Sequence, residues 1–154
     1  MLVVADSSPL HYLILIDHVN LLRSVYGTVT IPTSVANELK HINAPRVVRE
    51  FVGKPPEWLL IQSPHDLLAI DEIDEGERAA ISLAVELRAD LLLIDDLDGR
   101  RAALQHGLKI TGIVGILMDA SERGFIELKP LVSKLVDAGL YISKELIDRL
   151  LSEG

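Results

Sequence analysis

Apolar residues run along this chain in two rhythms. Short unbroken runs stand at Leu2-Val3-Val4-Ala5 and Leu91-Leu92-Leu93-Ile94, and weaker strand-like stretches at Thr28-Val29-Thr30-Ile31, Trp58 to Ile61 and Lys109-Ile110-Thr111. Runs this short suit strands covered on both faces. Between them apolar positions return at helical spacing. Ser7-Ser8-Pro9 reads as a helix start with a hydroxyl cap, and Leu10 to Val19 is apolar almost all round. Leu21 and Leu22 open a short second helix. Thr33 or Ser34 caps a helix running through Val35, Glu38 and Leu39. Ala44 to Phe51 reads as a further helix, broken by Gly53-Lys54-Pro55-Pro56. Asp74 to Leu87 carries apolar Ala79, Ala80, Leu83, Ala84 and Leu87, and another helix passes through Arg100 to His106. Val114 to Glu122, Leu131 to Ala138 and Ser143 to Leu151 close the series. Short apolar strands alternating with helices predict an α/β fold, a parallel sheet with helices on both faces. No repeat or long linker divides the chain, so residues 1–154 are expected to form a single domain.

Composition narrows the functions open to such a fold. Lys and Arg number 15 against 23 Asp and Glu, a net charge of −8, which disfavours a generic nucleic-acid-coating surface. Cysteine is absent, which removes disulfides, thiolate zinc sites and cysteine nucleophiles. No window reaches the roughly 18 apolar residues of a membrane span, and the start lacks a basic leader pattern; a cytoplasmic, soluble protein with no membrane partner is expected.

Open α/β sheets bind ligands at the carboxyl ends of their strands, so acids there carry most meaning. Asp6 ends the first run, Asp95 and Asp96 end the fourth, and Asp98 follows in the next helix. Glu38 and Glu77 are expected in the first turns of helices on that same edge. Each acid also has a plain structural role open to it. Asp6 and the Asp95-Asp96-x-Asp98 group suit helix N-termini, Asp74-x-x-Glu77 matches a capping box, and Glu38 could lie on a solvated face. Gathered together, Asp6, Glu38, Glu77, Asp96 and Asp98 would repel unless a hard, oxygen-seeking cation such as Mg²⁺ or Mn²⁺ joined them. Such an ion polarises phosphoryl oxygens and activates water, the chemistry of phosphodiester hydrolysis.

Five segments, in order, resemble the PIN-domain family, in particular the compact prokaryotic VapC-like toxins. They are Val4-Ala5-Asp6-Ser7-Ser8-Pro9-Leu10, Ile31-Pro32-x-x-Val35-x-x-Glu38-Leu39, Gly76-Glu77-x-x-Ala80-Ile81-x-Leu83-Ala84, Leu92-Leu93-Ile94-Asp95-Asp96 and Ile110-Thr111-Gly112. The resemblance implies a three-layer α/β/α fold with a mostly parallel sheet of about five strands. It also implies a Mg²⁺- or Mn²⁺-dependent endoribonuclease. Asp6, Glu38, Glu77 and Asp96 then match the catalytic acids, with Asp98 as an accessory ligand and Asp95 an alternative to Asp96. Ser7 and Thr111 match small polar positions that hold water near the ion. The Ile94-Asp95 pair departs from the family, which often carries Thr or Ser before this acid. The resemblance further implies a homodimer and an antitoxin protein as partner, and the apolar helix from Leu10 to Leu22 is a surface that could meet either; packing in its own core is the alternative.

Arg46, Arg49 and Lys54, with Lys40, are the basic residues expected to line an RNA groove; Arg100 and Arg101 start the helix after the acidic pair. The histidines show no zinc-like pairing, and Trp58 reads as core. A receiver domain would need its acidic pair after the first strand, a haloacid-dehalogenase-type phosphatase an Asp in place of Ser8, and a dinucleotide site a Gly-x-Gly-x-x-Gly, absent here. The remaining rival is a PIN-like module that binds RNA or protein without cleaving.

Overall fold

A computed structural model describes residues 1–153. The chain order is β1 (Val3–Ala5), α1 (Ser7–Leu15), α2 (Leu21–Tyr26), β2 (Val29–Ile31), α3 (Thr33–Leu39), α4 (Arg46–Gly53), β3 (Leu59–Ile61), α5 (Glu75–Leu87), β4 (Leu91–Leu93), α6 (Leu97–Gln105), β5 (Ile110–Thr111), α7 (Ile113–Glu122), α8 (Leu128–Asp137) and α9 (Lys144–Glu153). The strands form one sheet in the order β3-β2-β1-β4-β5, and every pairing is parallel.

Period-two alternation splits the side chains of the central strands between two apolar layers. Val3, Ala5, Val29, Ile31 and Leu93 pack on the side of α1–α4 and α7–α9; Val4, Leu92 and Ile94 pack on the side of α5 and α6. Both layers are buried and apolar, which is why β1 and β4 read as unbroken apolar runs. The three-layer α/β expectation holds.

Helix starts are where the structure corrects the reading. Pro32 takes the N-cap position of α3, with no side-chain cap, because its fixed φ of −64° leads straight into the helix. The helix therefore opens at Thr33, and Glu38 falls in its last turn, not its first. At α1 the N-cap position is Asp6, and no hydroxyl caps that helix. The apolar face of α1 is spent at home: Leu10 and Leu13 are fully buried, and Ile14, Ile16, Leu21 and Leu22 join the same core. Trp58 is core, packed near Phe51 with ring centroids 6.1 Å apart. No helix of the described residues is long and apolar enough to cross a membrane.

Candidate active site at the carboxyl edge of the sheet

The strand order places a switch point between β1 and β4. From β1 the chain steps outward through β2 to β3; from β4 it steps the other way to β5. Connections diverging from neighbouring strands leave a crevice at their carboxyl ends. Asp6 and the Asp95-Asp96 pair stand on its two sides.

Asp6 is pinned by its backbone. Its N–H donates to Leu93 O at 2.9 Å, which extends the β1–β4 ladder by one rung. The Asp6 side chain caps nothing, although it stands at the N-cap position of α1. The residue is 4% exposed, and its Oδ1 is buried with no hydrogen-bond partner. Burial pushes its pKa up to about 7; the Ser7 amide opposes that rise, and the charges of Asp74, Glu38 and Asp95 add to it.

Glu77 reaches the crevice from α5, which runs back across the sheet toward β4. Its N–H donates to Asp74 Oδ1 at 2.8 Å, so Asp74 is a true N-cap that fixes this first turn. The Glu77 side chain is buried and its Oε2 lacks a partner. Burial first, then the charges of Asp74, Asp96 and Asp6, drive its pKa up to about 8. Asp6 and Glu77 thus feel one another although they lie on distant stretches of the chain.

Two glycines make room for this convergence. A Cβ on Gly76 would stand 2.9 Å from Glu38 Oε1 and 3.5 Å from Asp74 Oδ1. A Cβ on Gly99 would stand 2.7 Å from Ile94 Cδ1 and 3.0 Å from Glu77 Oε2. Contacts this short force a neighbour to shift, so glycine lets Glu38 sit over the start of α5 and lets α6 close on Glu77.

The acids after β4 divide their work. Asp96 is exposed and N-caps α6, its Oδ2 accepting from Asp98 N–H at 3.1 Å and Gly99 N–H at 3.2 Å. Asp95 braces the neighbouring helix: its Oδ1 accepts from Ile113 N–H at 2.9 Å, at the start of α7, while Oδ2 is buried without a partner. Burial raises the Asp95 pKa; the Ile113 amide and the Arg100 charge pull it back.

Other expected residues lie elsewhere. Asp98 is exposed beside Arg101, 3.6 Å away, and lines a separate cleft with Asp71 and Glu72. It is not among the charges that perturb Asp6 or Glu77. Its place in α6, past the capping residue, carries it away from the crevice. Arg46 is exposed and paired with Glu50 at 2.7 Å, Arg49 donates to Ala44 O at 3.1 Å, and Lys54 is the exposed C-cap of α4. Thr111 does reach a cleft next to the acids, and so does Ser8; Ser7 is half-buried at the start of α1 and does not line it. Asp74 is the acid the sequence reading undervalued. Its capping-box spacing is real, and the same geometry sets its charge against both Asp6 and Glu77.

None of the ion pairs among the described residues involves Asp6, Glu77, Asp95 or Asp96. Among the described residues, no group of three or more acids or histidines stands in a ready-made metal cage. The donor chemistry nevertheless suits a hard cation: only oxygens, two of them buried and unpartnered on Asp6 and Glu77, in a pocket that costs energy to hold negative.

The fold is an open parallel α/β sheet whose carboxylates converge at its switch point. The PIN-domain family model matches residues 2–153, and the chain belongs to that family. Among solved structures, the chain is similar to a PilT N-terminus domain protein from the hyperthermophilic archaeon Sulfolobus solfataricus P2. That likeness has 20% identity and a TM-score of 0.59, covering 78% of this chain and 93% of the other. It is a likeness of fold. No curated protein matches the sequence.

Proposed function

We propose that this protein is a Mg²⁺- or Mn²⁺-dependent endoribonuclease. The observation that carries the reading is the pair of buried carboxylates, Asp6 and Glu77, each with an unpartnered oxygen and each pushed toward its protonated form by burial and by its neighbours' charge. Folding does not need such a pair; a bound cation does.

The residues that would hold the ion are Asp6, Glu77 and Asp96, with Glu38 and Asp74 adding negative charge around them. When bound, the ion supplies Lewis acidity toward a phosphoryl oxygen and acidifies water. The chain's own part is positional. The β1–β4 ladder fixes Asp6, the α5 cap fixes the turn that carries Glu77, and the two amides at the start of α6 hold Asp96. Asp6 and Glu77 would hold the ion in their ionised forms, so binding would be accompanied by proton release.

The test is cleavage of single-stranded RNA by the wild-type chain with Mg²⁺, Mn²⁺ or EDTA, against Asp6→Asn, Glu77→Gln and Asp96→Asn. Metal-dependent cleavage that disappears in the variants supports the reading. Cleavage absent from the wild type, or equal in all chains, favours a non-cleaving binding module, the reading to which the lack of a ready-made cage among the described residues points. A toxin role, with a homodimer and an antitoxin protein as partner and the cytoplasm as its place, belongs to this same proposal. Its check is growth arrest on expression of wild type and not of Asp6→Asn. The core-facing side of α1 is covered by the chain itself, so a partner on this helix would meet its half-buried residues, among them Tyr12 and Leu15.

A further inference from the structure

A cleft of about 740 Å³ opens directly beside the acids, within the usual size range of a small-ligand pocket. Asp95 and Asp96 form one side of it, so it continues the carboxyl-edge crevice. Tyr141, in the stretch between α8 and α9, also lines it. Alternation along that stretch buries Ile142, leaves Leu140 half-buried and turns Tyr141 out, 89% exposed. Leu97, at the start of α6, faces the same cleft and is 75% exposed. Neither side chain is used by the core. Arg100, half-buried further along α6, is the one basic residue of a lining that also holds Asp95, Asp96, the Ser8 and Thr111 hydroxyls and apolar side chains.

We infer that this cleft is a nucleotide subsite, in which Tyr141 and Leu97 hold one base of a single-stranded RNA next to the cleaved linkage and Arg100 takes the adjoining phosphate. Two features select this occupant over a protein segment. The cleft shares Asp96 with the crevice, so an RNA chain with a phosphate beside Asp96 has a neighbouring nucleotide within reach of it. The lining also combines an aromatic face, an apolar side chain and one guanidinium, the groups that stack on bases and pair with phosphate without reading sequence. Tyr141 is here a positioning residue. The inference rests on the ribonuclease reading, but stacking is measurable without turnover.

The experiment uses the full chain carrying Asp6→Asn, with Mg²⁺, and fluorescence anisotropy of a labelled uridine octamer and of the same octamer with abasic sites. Tyr141→Ala, added to that chain, should weaken binding of the octamer roughly 5- to 100-fold, the range for loss of one base–aromatic stack. Tyr141→Trp should retain it. The abasic octamer should bind equally well to the chain that keeps Tyr141 and to the chain that carries Tyr141→Ala. Arg100→Gln should weaken both ligands and lower the salt dependence. Equal octamer affinity with and without Tyr141→Ala overturns the inference, as does an equal loss on the abasic ligand, or no binding of either. The two readings fail separately. Metal-dependent, Asp6-dependent cleavage with an indifferent Tyr141 sinks the subsite alone; base-dependent binding without any cleavage sinks the nuclease and leaves the subsite.

Discussion

At the amino edge of the sheet, Asp90 lies exposed and accepts a 2.6 Å hydrogen bond from Leu2 N–H, while its own N–H donates to Leu2 O at 2.8 Å. At the carboxyl edge, Asp6 and Glu77 are buried, each keeps an oxygen with no partner, and each is crowded by further acids. Both edges use carboxylates for folding, Asp90 at the first and the caps Asp74 and Asp96 at the second, but Asp6 and Glu77 are not used in that way. The carboxyl edge thus departs from that use within one crevice. A fold tolerates such a departure where the group serves something outside the fold.

The contrast breaks most visibly in activity. Asp6→Asn and Glu77→Gln should each lower metal-dependent RNA cleavage on the order of 10²-fold or more, measured as initial rate at saturating Mn²⁺. Asp90→Ala, at the other edge, should leave that rate unchanged.

Stability should move the opposite way at the two edges. The pKa of Asp6 rises on folding from 3.8 to about 7, and that of Glu77 from 4.5 to about 8. The folded chain therefore holds more protons than the unfolded chain between those values, and stability falls as pH climbs from about 4 to about 8. In EDTA, Asp6→Asn should flatten this slope and stabilise the chain at pH 8 by on the order of a few kcal/mol. Mn²⁺ should raise the wild-type melting temperature at pH 8 and do much less for the variant. A wild-type curve that rises with pH in EDTA would contradict the description of the crevice.

Geometry gives the next effect. Gly99→Ala would push against Ile94 and Glu77 together and should cost roughly 1–3 kcal/mol in denaturant unfolding, with loss of cleavage. Asp96 separates capping from chemistry: Asp96→Ala should cost about 1 kcal/mol of stability, whereas Asp96→Asn should keep the cap and still lose activity. Smallest is Asp90→Ala, about 0.5–1.5 kcal/mol for one exposed hydrogen bond.

Much of the contrast was written in the residues. Strands buried on both faces announce themselves as apolar runs, and the acids placed after them, Asp6 and the Asp95-Asp96 pair, follow once the sheet is parallel. What the sequence hid was local register. Glu38 looked like a first-turn residue because Thr33 and Ser34 are good caps; Pro32 pre-empted them. Asp98 looked like an accessory ligand because it sits two residues from Asp96, and that spacing turns it toward Arg101. Asp74 hid behind a motif that explained it completely as a cap. The apolar α1 looked like an interface because periodicity cannot say which body covers a helix; here it is the chain's own core. Tyr141 carried no sequence signal at all, since its position depends on how the stretch between two distant helices returns to the crevice.

The most direct measurement is a crystal structure of the wild-type chain grown with Mn²⁺, with diffraction recorded at the manganese edge. An anomalous peak in the crevice beside the Asp6, Glu77 and Asp96 carboxylates, lost in Asp6→Asn, is the expected result. Saturating Mn²⁺ that leaves the crevice without a peak, or a peak that persists in the variant, would contradict a shared cation as the reason these acids are buried together.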